Sequence, residues 1–116
     1  MKFSGALKFN HIFQRLYHSR GCCDGNLALY ARKNRTQRNR VGITVSKKLG
    51  HAVVRNRVRR RLREIYRLNE TQFLPGYDIV VVARSRAVEA SFQELRDSYL
   101  ALARKAGILL PPEETQ

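Results

Sequence analysis

The stretch Val53 to Arg67 reads VVRNRVRRRLREIYR and sets Arg55, Arg57, Arg59, Arg60, Arg61, Arg63 and Arg67 among aliphatic residues that keep returning. A guanidinium is a planar fork of N–H donors that grips a phosphate through two parallel hydrogen bonds, which a lysine cannot do. An ordinary solvated helix face mixes signs so that pairs form between residues three or four apart. Here Glu64 is the one acid in the stretch, and Lys47 and Lys48 precede it. Such a face repels itself unless an external polyanion neutralises it, so the chemistry it offers is phosphate recognition.

Catalytic chemistry has no comparable candidate, and no catalytic residue is expected in the protein. The chain contains no paired-carboxylate constellation and no HExxH, and His11, His18 and His51 stand without evident partners. Cys22 and Cys23 are neighbours. Adjacent cysteines close only a strained ring, and no Cys/His spacing suits zinc, so two reduced thiols and no metal site are expected.

Composition points the same way. The 116 residues hold 23 Lys plus Arg against 9 Asp plus Glu, a formal net charge of +14. That length suits one domain over residues 1–116, ordered from about 7 to 106 with a tail over 107–116. The charge calls for a polyanionic partner, and nucleic acid is favoured over a membrane surface. No apolar run approaches the roughly 18 residues that span a bilayer, and Met1 to Leu7 lacks the pattern of a signal peptide. A cytoplasmic location is expected.

The elements that must position these residues follow from periodicity. Phe9, Ile12, Phe13 and Leu16 recur at helical spacing, with Tyr17 at the edge of the stripe, predicting a first helix over 10–19. Gly21 to Gly25 is turn-like. From Asn26 the period becomes two: Leu27, Leu29 and Ala31 share one face of a strand, while Ala28, Tyr30 and Arg32 share the other. A second strand over 40–46 sends Val41, Ile43 and Val45 one way and Gly42, Thr44 and Ser46 the other. The arginine helix spans about 52–69. On it Val54, Val58, Leu62, Ile65 and Leu68 form a buried stripe, and Asn56, Arg60, Arg63 and Arg67 lie opposite. Arg61 falls within the apolar arc and must extend along its stem to reach water. Ile79 to Ala83 reads as a strand buried on both faces. A last helix over 91–106 takes Ser91 as its N-cap, and the prolines after Leu110 stop it.

The block VSKKLGHAVVRNRVRRRLREIYR resembles the signature of the protein subunit of bacterial ribonuclease P. In that family a strand ending in Val-Ser-Lys-Lys enters, through a glycine-containing loop, a helix bearing Arg-Asn-Arg. LKFNHIFQRLYHSRG and YDIVVVAR resemble the family's first helix and a later strand, so the likeness covers about 7–106. The resemblance implies an α/β (α+β) two-layer sandwich: a small mixed β-sheet packed with three helices, with a left-handed βαβ crossover like that of the second domain of ribosomal protein S5. It implies the protein component of ribonuclease P, which binds a catalytic RNA and the 5′ leader of precursor tRNA and promotes endonucleolytic removal of that leader. Hydrolysis is then carried out by the RNA and its magnesium ions.

Carried onto this chain, the resemblance implies that Lys47, Lys48, Arg55, Asn56, Arg57, Arg59, Arg60 and Arg63 face the catalytic RNA. Phe13, Tyr17, Ala28, Tyr30, Thr44 and Ser46 match the leader-binding cleft, with Arg60 and Arg63 expected to reach toward it. Arg61 departs from the family, which keeps an aliphatic residue there. The expected partners are one catalytic RNA per protein and precursor tRNA, with neither DNA nor membrane. A structural RNA-binding protein of the ribosome is the alternative; it needs the basic helix but no open aromatic cleft. A DNA-binding regulator would carry a helix-turn-helix and a dimer seam, and neither is visible.

Overall fold

The structure, a computed structural model, describes residues 4–6 and 21–110. Strands β1 (Ser4–Ala6), β2 (Gly21–Cys23), β3 (Leu27–Lys33) and β4 (Asn39–Thr44) precede helix α1 (Ala52–Asn69). Strand β5 (Tyr77–Ala83) and helix α2 (Phe92–Lys105) follow. Short 3-10 turns at Lys47–Leu49, Glu70–Gln72 and Ser85–Val88 fill the connections. The helix expected over 10–19 lies outside the described residues. The segment expected as a turn from Gly21 instead opens with β2, which pairs antiparallel with β3. Three residues are too few to display an alternation, and the flanking glycines read as a turn. The turn itself comes later, where the Asp24 carboxylate accepts hydrogen bonds from the Asn26 and Leu27 N–H groups, at 2.8 and 2.9 Å, and starts β3.

The five strands stand in the order β1-β4-β5-β3-β2. β4 and β5 are parallel neighbours, and β3 runs antiparallel to β5 on its other side. Parallel neighbours need a crossover, and α1 supplies it. The register sends Leu27, Leu29, Val41, Ile79, Val81 and Ala83 to one face. There they form a core with Val58, Leu62, Ile65 and Tyr66 of α1 and Leu95, Tyr99, Leu102 and Ala103 of α2. Both helices therefore cover the same side of the sheet. Each large side chain buried in this way contributes roughly 1.5–3 kcal/mol.

The buried stripe of α1 is rotated from the one expected. Tyr66 is fully buried, while Leu68 is 57% exposed. Tyr66 was not counted as apolar in the periodicity. Including it turns the centre of the stripe away from Leu68, by the roughly 100° per residue of a helix. Arg61 is half-buried rather than extended into water, and its Nη1 donates to the Ala90 carbonyl at 3.0 Å, tying α1 to the chain just before α2. That bond accounts for an arginine where the resemblance has an aliphatic residue.

A buried amide closes the far end of the crossover. Asn39 Nδ2 donates to the Tyr66 hydroxyl at 3.2 Å and to the Leu74 carbonyl at 3.0 Å, and its Oδ1 accepts from the Tyr77 N–H at 2.8 Å. One side chain thus fixes the starts of β4 and β5 to the end of α1. α2 begins at Ser91 as expected, where Ser91 and Glu94 cap one another's backbone N–H groups. Its end differs from expectation. Gly107 takes a φ of 76°, and Ile108 turns back fully buried. Leu74 N–H donates to the Ile108 carbonyl and Leu110 N–H to the Gln72 carbonyl. The packed chain therefore reaches Leu110, past the expected start of the tail at 107.

The Tyr99 ring meets Phe73 edge-on at 6.0 Å, and its buried hydroxyl has no hydrogen-bond partner among the described residues. Burial, with the neighbouring Tyr66, pushes that hydroxyl's pKa far up, so it stays neutral. Tyr99→Phe should leave stability in urea unchanged or raise it by up to about 1 kcal/mol, because the deleted group is desolvated for no bond. A clear loss of stability would mean that the hydroxyl has a partner. Leu62→Ala, by contrast, should cost about 2–5 kcal/mol.

Candidate nucleic-acid interface

Because one stripe of α1 is pinned to the sheet, its arginines are sorted by position. Asn56, Arg57, Arg60 and Arg63 are exposed, whereas Arg55 and Arg59 are half-buried at the margins. Arg55 Nε donates to the Gly50 carbonyl at 3.2 Å, and Arg59 Nη1 to Asn56 Oδ1 at 2.8 Å. These two guanidiniums are oriented by their own chain and keep further N–H groups for a phosphate. Arg67 is paired with Glu64, whose carboxyl this hydrogen bond holds below the usual range. Among the described residues, Arg57, Arg60 and Arg63 are exposed without an ion pair, and Arg55 and Arg59 are held only by neutral acceptors. Lys47 and Lys48, both exposed, sit on the 3-10 turn leading into α1. Ser46 Oγ caps that turn at the Lys48 N–H, and Gly50 leaves it at a φ of 143°. The eight residues expected on this surface thus lie on one helix and the turn before it.

The second face of the sheet has a different character. Register aligns three rows across β4, β5 and β3: Thr44–Val82–Ala28, Gly42–Val80–Tyr30 and Arg40–Asp78–Arg32. Val80 and Ala28 are buried on this face, whereas Tyr30, Thr44 and Val82 are half-buried. Ala28 therefore lines the floor rather than offering an open contact. Ser46 lies beyond the end of β4, exposed, with its hydroxyl engaged as the cap. Phe13 and Tyr17, expected on the same cleft, lie outside the described residues. α1 packs on the opposite side of the sheet from Tyr30, and Arg60 lies on the helix's outer side. Burial of Val58, Leu62 and Tyr66 places Arg60 and Arg63 on the outer side of α1, facing away from the sheet.

Two features of this face escaped the sequence. Gly21 of β2 pairs with Tyr30, and a Cβ built on it would lie 2.5 Å from a carbon of the tyrosine ring. The ring lies across the glycine, and no larger residue leaves it there. A glycine in a turn-like pentapeptide carried no signal of that role. In the last row, Arg40 grips Asp78 through two bonds of 2.7 Å, and Asn34 Nδ2 reaches the same carboxylate at 3.1 Å. The face's one acid is thereby buried and neutralised. Positions 40 and 78 meet only through the pairing of β4 with β5, which the sequence does not display.

Among the described residues no three His, Cys, Asp or Glu side chains gather as a metal-binding group. Cys22 and Cys23 are free thiols on successive positions of β2, facing opposite sides. No helix among the described residues is long and apolar enough to cross a membrane. The helix surface offers cations and the Asn56 amide, whereas the second face of the sheet offers a hydroxyl at Thr44 and an aromatic ring at Tyr30.

Comparison with known proteins shows the family. The family model described as Ribonuclease P matches residues 1–107. The ribonuclease P protein component of Alkaliphilus oremlandii is 41% identical over 110 residues, covering 94% of this chain and 96% of its own. That of Clostridioides difficile is 41% identical, with 88% and 91% covered. Among solved structures, the Staphylococcus aureus RNase P protein superimposes with a TM-score of 0.83 at 31% identity, over 90% of this chain and 97% of that one. The Thermotoga maritima protein gives 0.77 at 30%, over 85% and 96%. These matches support the mixed sheet with packed helices and exclude the ribosomal alternative. The chain therefore belongs to the bacterial ribonuclease P protein family.

Proposed function

We propose that this chain is the protein component of a ribonuclease P ribonucleoprotein, binding the catalytic RNA with its arginine helix and the 5′ leader of precursor tRNA with the second face of its sheet. The observation that supports the reading is that a row of exposed arginines and a tyrosine-bearing strand face lie on opposite sides of one sheet. Lys47, Lys48, Arg55, Asn56, Arg57, Arg59, Arg60 and Arg63 suit the backbone of folded RNA, where a guanidinium fork bridges phosphate oxygens. Tyr30 suits an unpaired base, and Thr44 with Ser46 suits its backbone, without demanding a sequence.

In this reading magnesium, held by the RNA, supplies the hydrolytic chemistry, and the described residues of the protein hold no site of their own for it. The protein orients. It fixes the leader against the sheet while α1 anchors the same molecule to the RNA, so the cleavage site is presented in one geometry. The chain acts as one domain in the cytoplasm, one copy per RNA, and DNA is not its target.

Freed of RNA, the protein should show no nuclease activity. Added to a bacterial ribonuclease P RNA in magnesium, it should raise kcat/KM for precursor tRNA. Metal-dependent cleavage by the RNA-free protein would overturn the proposal.

If the helix and its two lysines neutralise about 5 to 8 phosphates, log affinity for the catalytic RNA should fall with log salt at a slope on the order of −4 to −7. Replacing Arg57 and Arg60 together by Ala should flatten that slope by roughly 1 to 2. An unchanged slope would make the arginines a solvated face.

Tyr30→Ala should remove one stacking platform, worth about 1 to 3 kcal/mol, from substrates with a leader of several nucleotides and not from those with a single one. Gly21→Ala should reproduce that loss by displacing the ring, and should add nothing in a Tyr30→Ala background. Equal losses for long and short leaders in a stably folded protein would refute the assignment of this face.

A further inference from the structure

Beside Tyr30 on the second face of the sheet stands an arginine with no assigned task. Arg32 lies two residues beyond Tyr30 on β3, so strand alternation puts both side chains on one face, roughly 7 Å apart. Lys33, one residue on, falls on the opposite face with its register partner Tyr77, which packs against the core. Arg32 is exposed. The residue that register sets directly opposite it is Asp78 on β5. Opposite charges that face one another across antiparallel strands are natural partners. Here that pair does not form.

Asp78 is held from its other side. Arg40, its register partner on β4, donates Nε to Oδ1 and Nη2 to Oδ2, both at 2.7 Å. Asn34 Nδ2 adds a bond to Oδ1 at 3.1 Å. Both carboxylate oxygens are thus taken by a fork whose geometry matches them, and the aspartate is buried. Among the described residues the Arg32 side chain has neither an ion pair nor a hydrogen bond. Two arginines and one aspartate leave one positive charge in the row, and the Arg40–Asp78 pair leaves it on the exposed member, Arg32. An aromatic ring with an unpaired guanidinium beside it suits a single strand of nucleic acid: the ring takes a base and the fork takes the backbone next to it.

We infer that Arg32 binds a phosphate of the 5′ leader next to the base stacked on Tyr30, and that Arg40 is a positioning residue that keeps Asp78 from capturing it. This rests on the assignment of the second face to the leader. Alternation carries the choice of occupant, because a strand lying on Tyr30 runs over the face to which Arg32 belongs. A guanidinium that grips a phosphate reads no base, so the contact adds affinity without a sequence preference. Arg40 contributes indirectly. By occupying Asp78 it removes the one intramolecular anion that register places within reach of Arg32.

The test is a series of precursor tRNAs whose leaders are lengthened one nucleotide at a time, bound to the protein assembled with a bacterial ribonuclease P RNA. Arg32→Gln should leave affinity for the shortest leader unchanged. Within one nucleotide of the length at which Tyr30→Ala shows its loss, it should weaken binding roughly fivefold. The salt slope should flatten there by about 0.7, the share of one phosphate on a single strand. Lys33→Gln removes the same charge from the opposite face and should change nothing. Arg40→Gln should reproduce the loss, because Asp78 then turns to Arg32, and adding Asp78→Asn should restore binding. Thermal melting checks that each variant is folded; Arg32→Gln alters only an exposed side chain and decides the phosphate contact by itself. Equal losses for Arg32→Gln and Lys33→Gln would reduce the effect to net charge and overturn the inference. A loss at every leader length would assign Arg32 to the catalytic RNA or the tRNA body and overturn it equally. An Arg40→Gln loss that Asp78→Asn does not repair would overturn the positioning role. If Tyr30→Ala depends on the leader and Arg32→Gln does not, the phosphate contact fails and the leader face stands. If neither depends on the leader, both fail.

Discussion

Everything on the surface of this protein depends on the seating of one stripe of α1. Val58, Leu62, Ile65 and Tyr66 must leave water, and the sheet face built from Val41, Ile79 and Val81 receives them. Once the stripe is seated the rotation of the helix is set, and the positions of its arginines follow without further instruction. Arg57, Arg60 and Arg63 can only face outward, Arg55 and Arg59 can only lie at the margin, and Arg61 must find an acceptor within reach, which Ala90 provides. A charged surface is thereby arranged by apolar contacts. That division also decouples the two properties: the outward arginines can be removed without touching the core, whereas a core residue cannot be changed without turning the arginines.

The sheet separates two chemically different surfaces. One side is closed by both helices and supports cations in a helical array, suited to fixed phosphate spacing. The other side sets a tyrosine ring across a glycine and pairs its one acid with an arginine, so a polyanion can approach without meeting an unpaired carboxylate. The burial of Asp78 matters for that reason. An exposed carboxylate in the middle of an anion-binding face would repel the ligand, whereas one held by two short bonds to Arg40 adds structure and little net field.

Much of this was legible from the residues. The alternation from Leu27 to Arg32 and from Val41 to Thr44 named the correct faces, and Ser91 as an N-cap announced the start of α2. The basic helix declared itself because sign-biased charge on an amphipathic repeat has few structural explanations. What could not be read depends on contacts distant in sequence. The pairing of Gly21 with Tyr30, of Arg40 with Asp78 and of Phe73 with Leu109 are properties of register and not of any local pattern. Leu68 was misplaced for a related reason. A hydropathy stripe that omits a tyrosine rotates toward the wrong neighbour, and only the acceptor role of the Tyr66 hydroxyl toward Asn39 makes that tyrosine an inside residue. The end of the chain was misjudged because Ile108 owes its burial to a glycine-initiated reversal rather than to helical period.

A net charge of +14 on 116 residues poses an energetic problem that the architecture answers in part. Like charges on a compact body destabilise it relative to an expanded chain. The structure offsets this locally by giving several cations an acceptor: Arg40 has Asp78, Arg67 has Glu64, Arg61 has Ala90 and Arg55 has Gly50. Among the described residues, cations without an ion pair include those on the outer face of α1, on the turn before it and at the end of β3, with Arg84, Arg86, Arg104 and Lys105 elsewhere. The first three are places from which an RNA backbone could neutralise them. A ligand that binds only the native state stabilises it in proportion to the logarithm of its saturation, so the residual repulsion becomes a coupling between folding and RNA binding. The same charges that weaken the free protein strengthen the assembled one, and their confinement to surfaces built by apolar contacts keeps that exchange from disturbing the core.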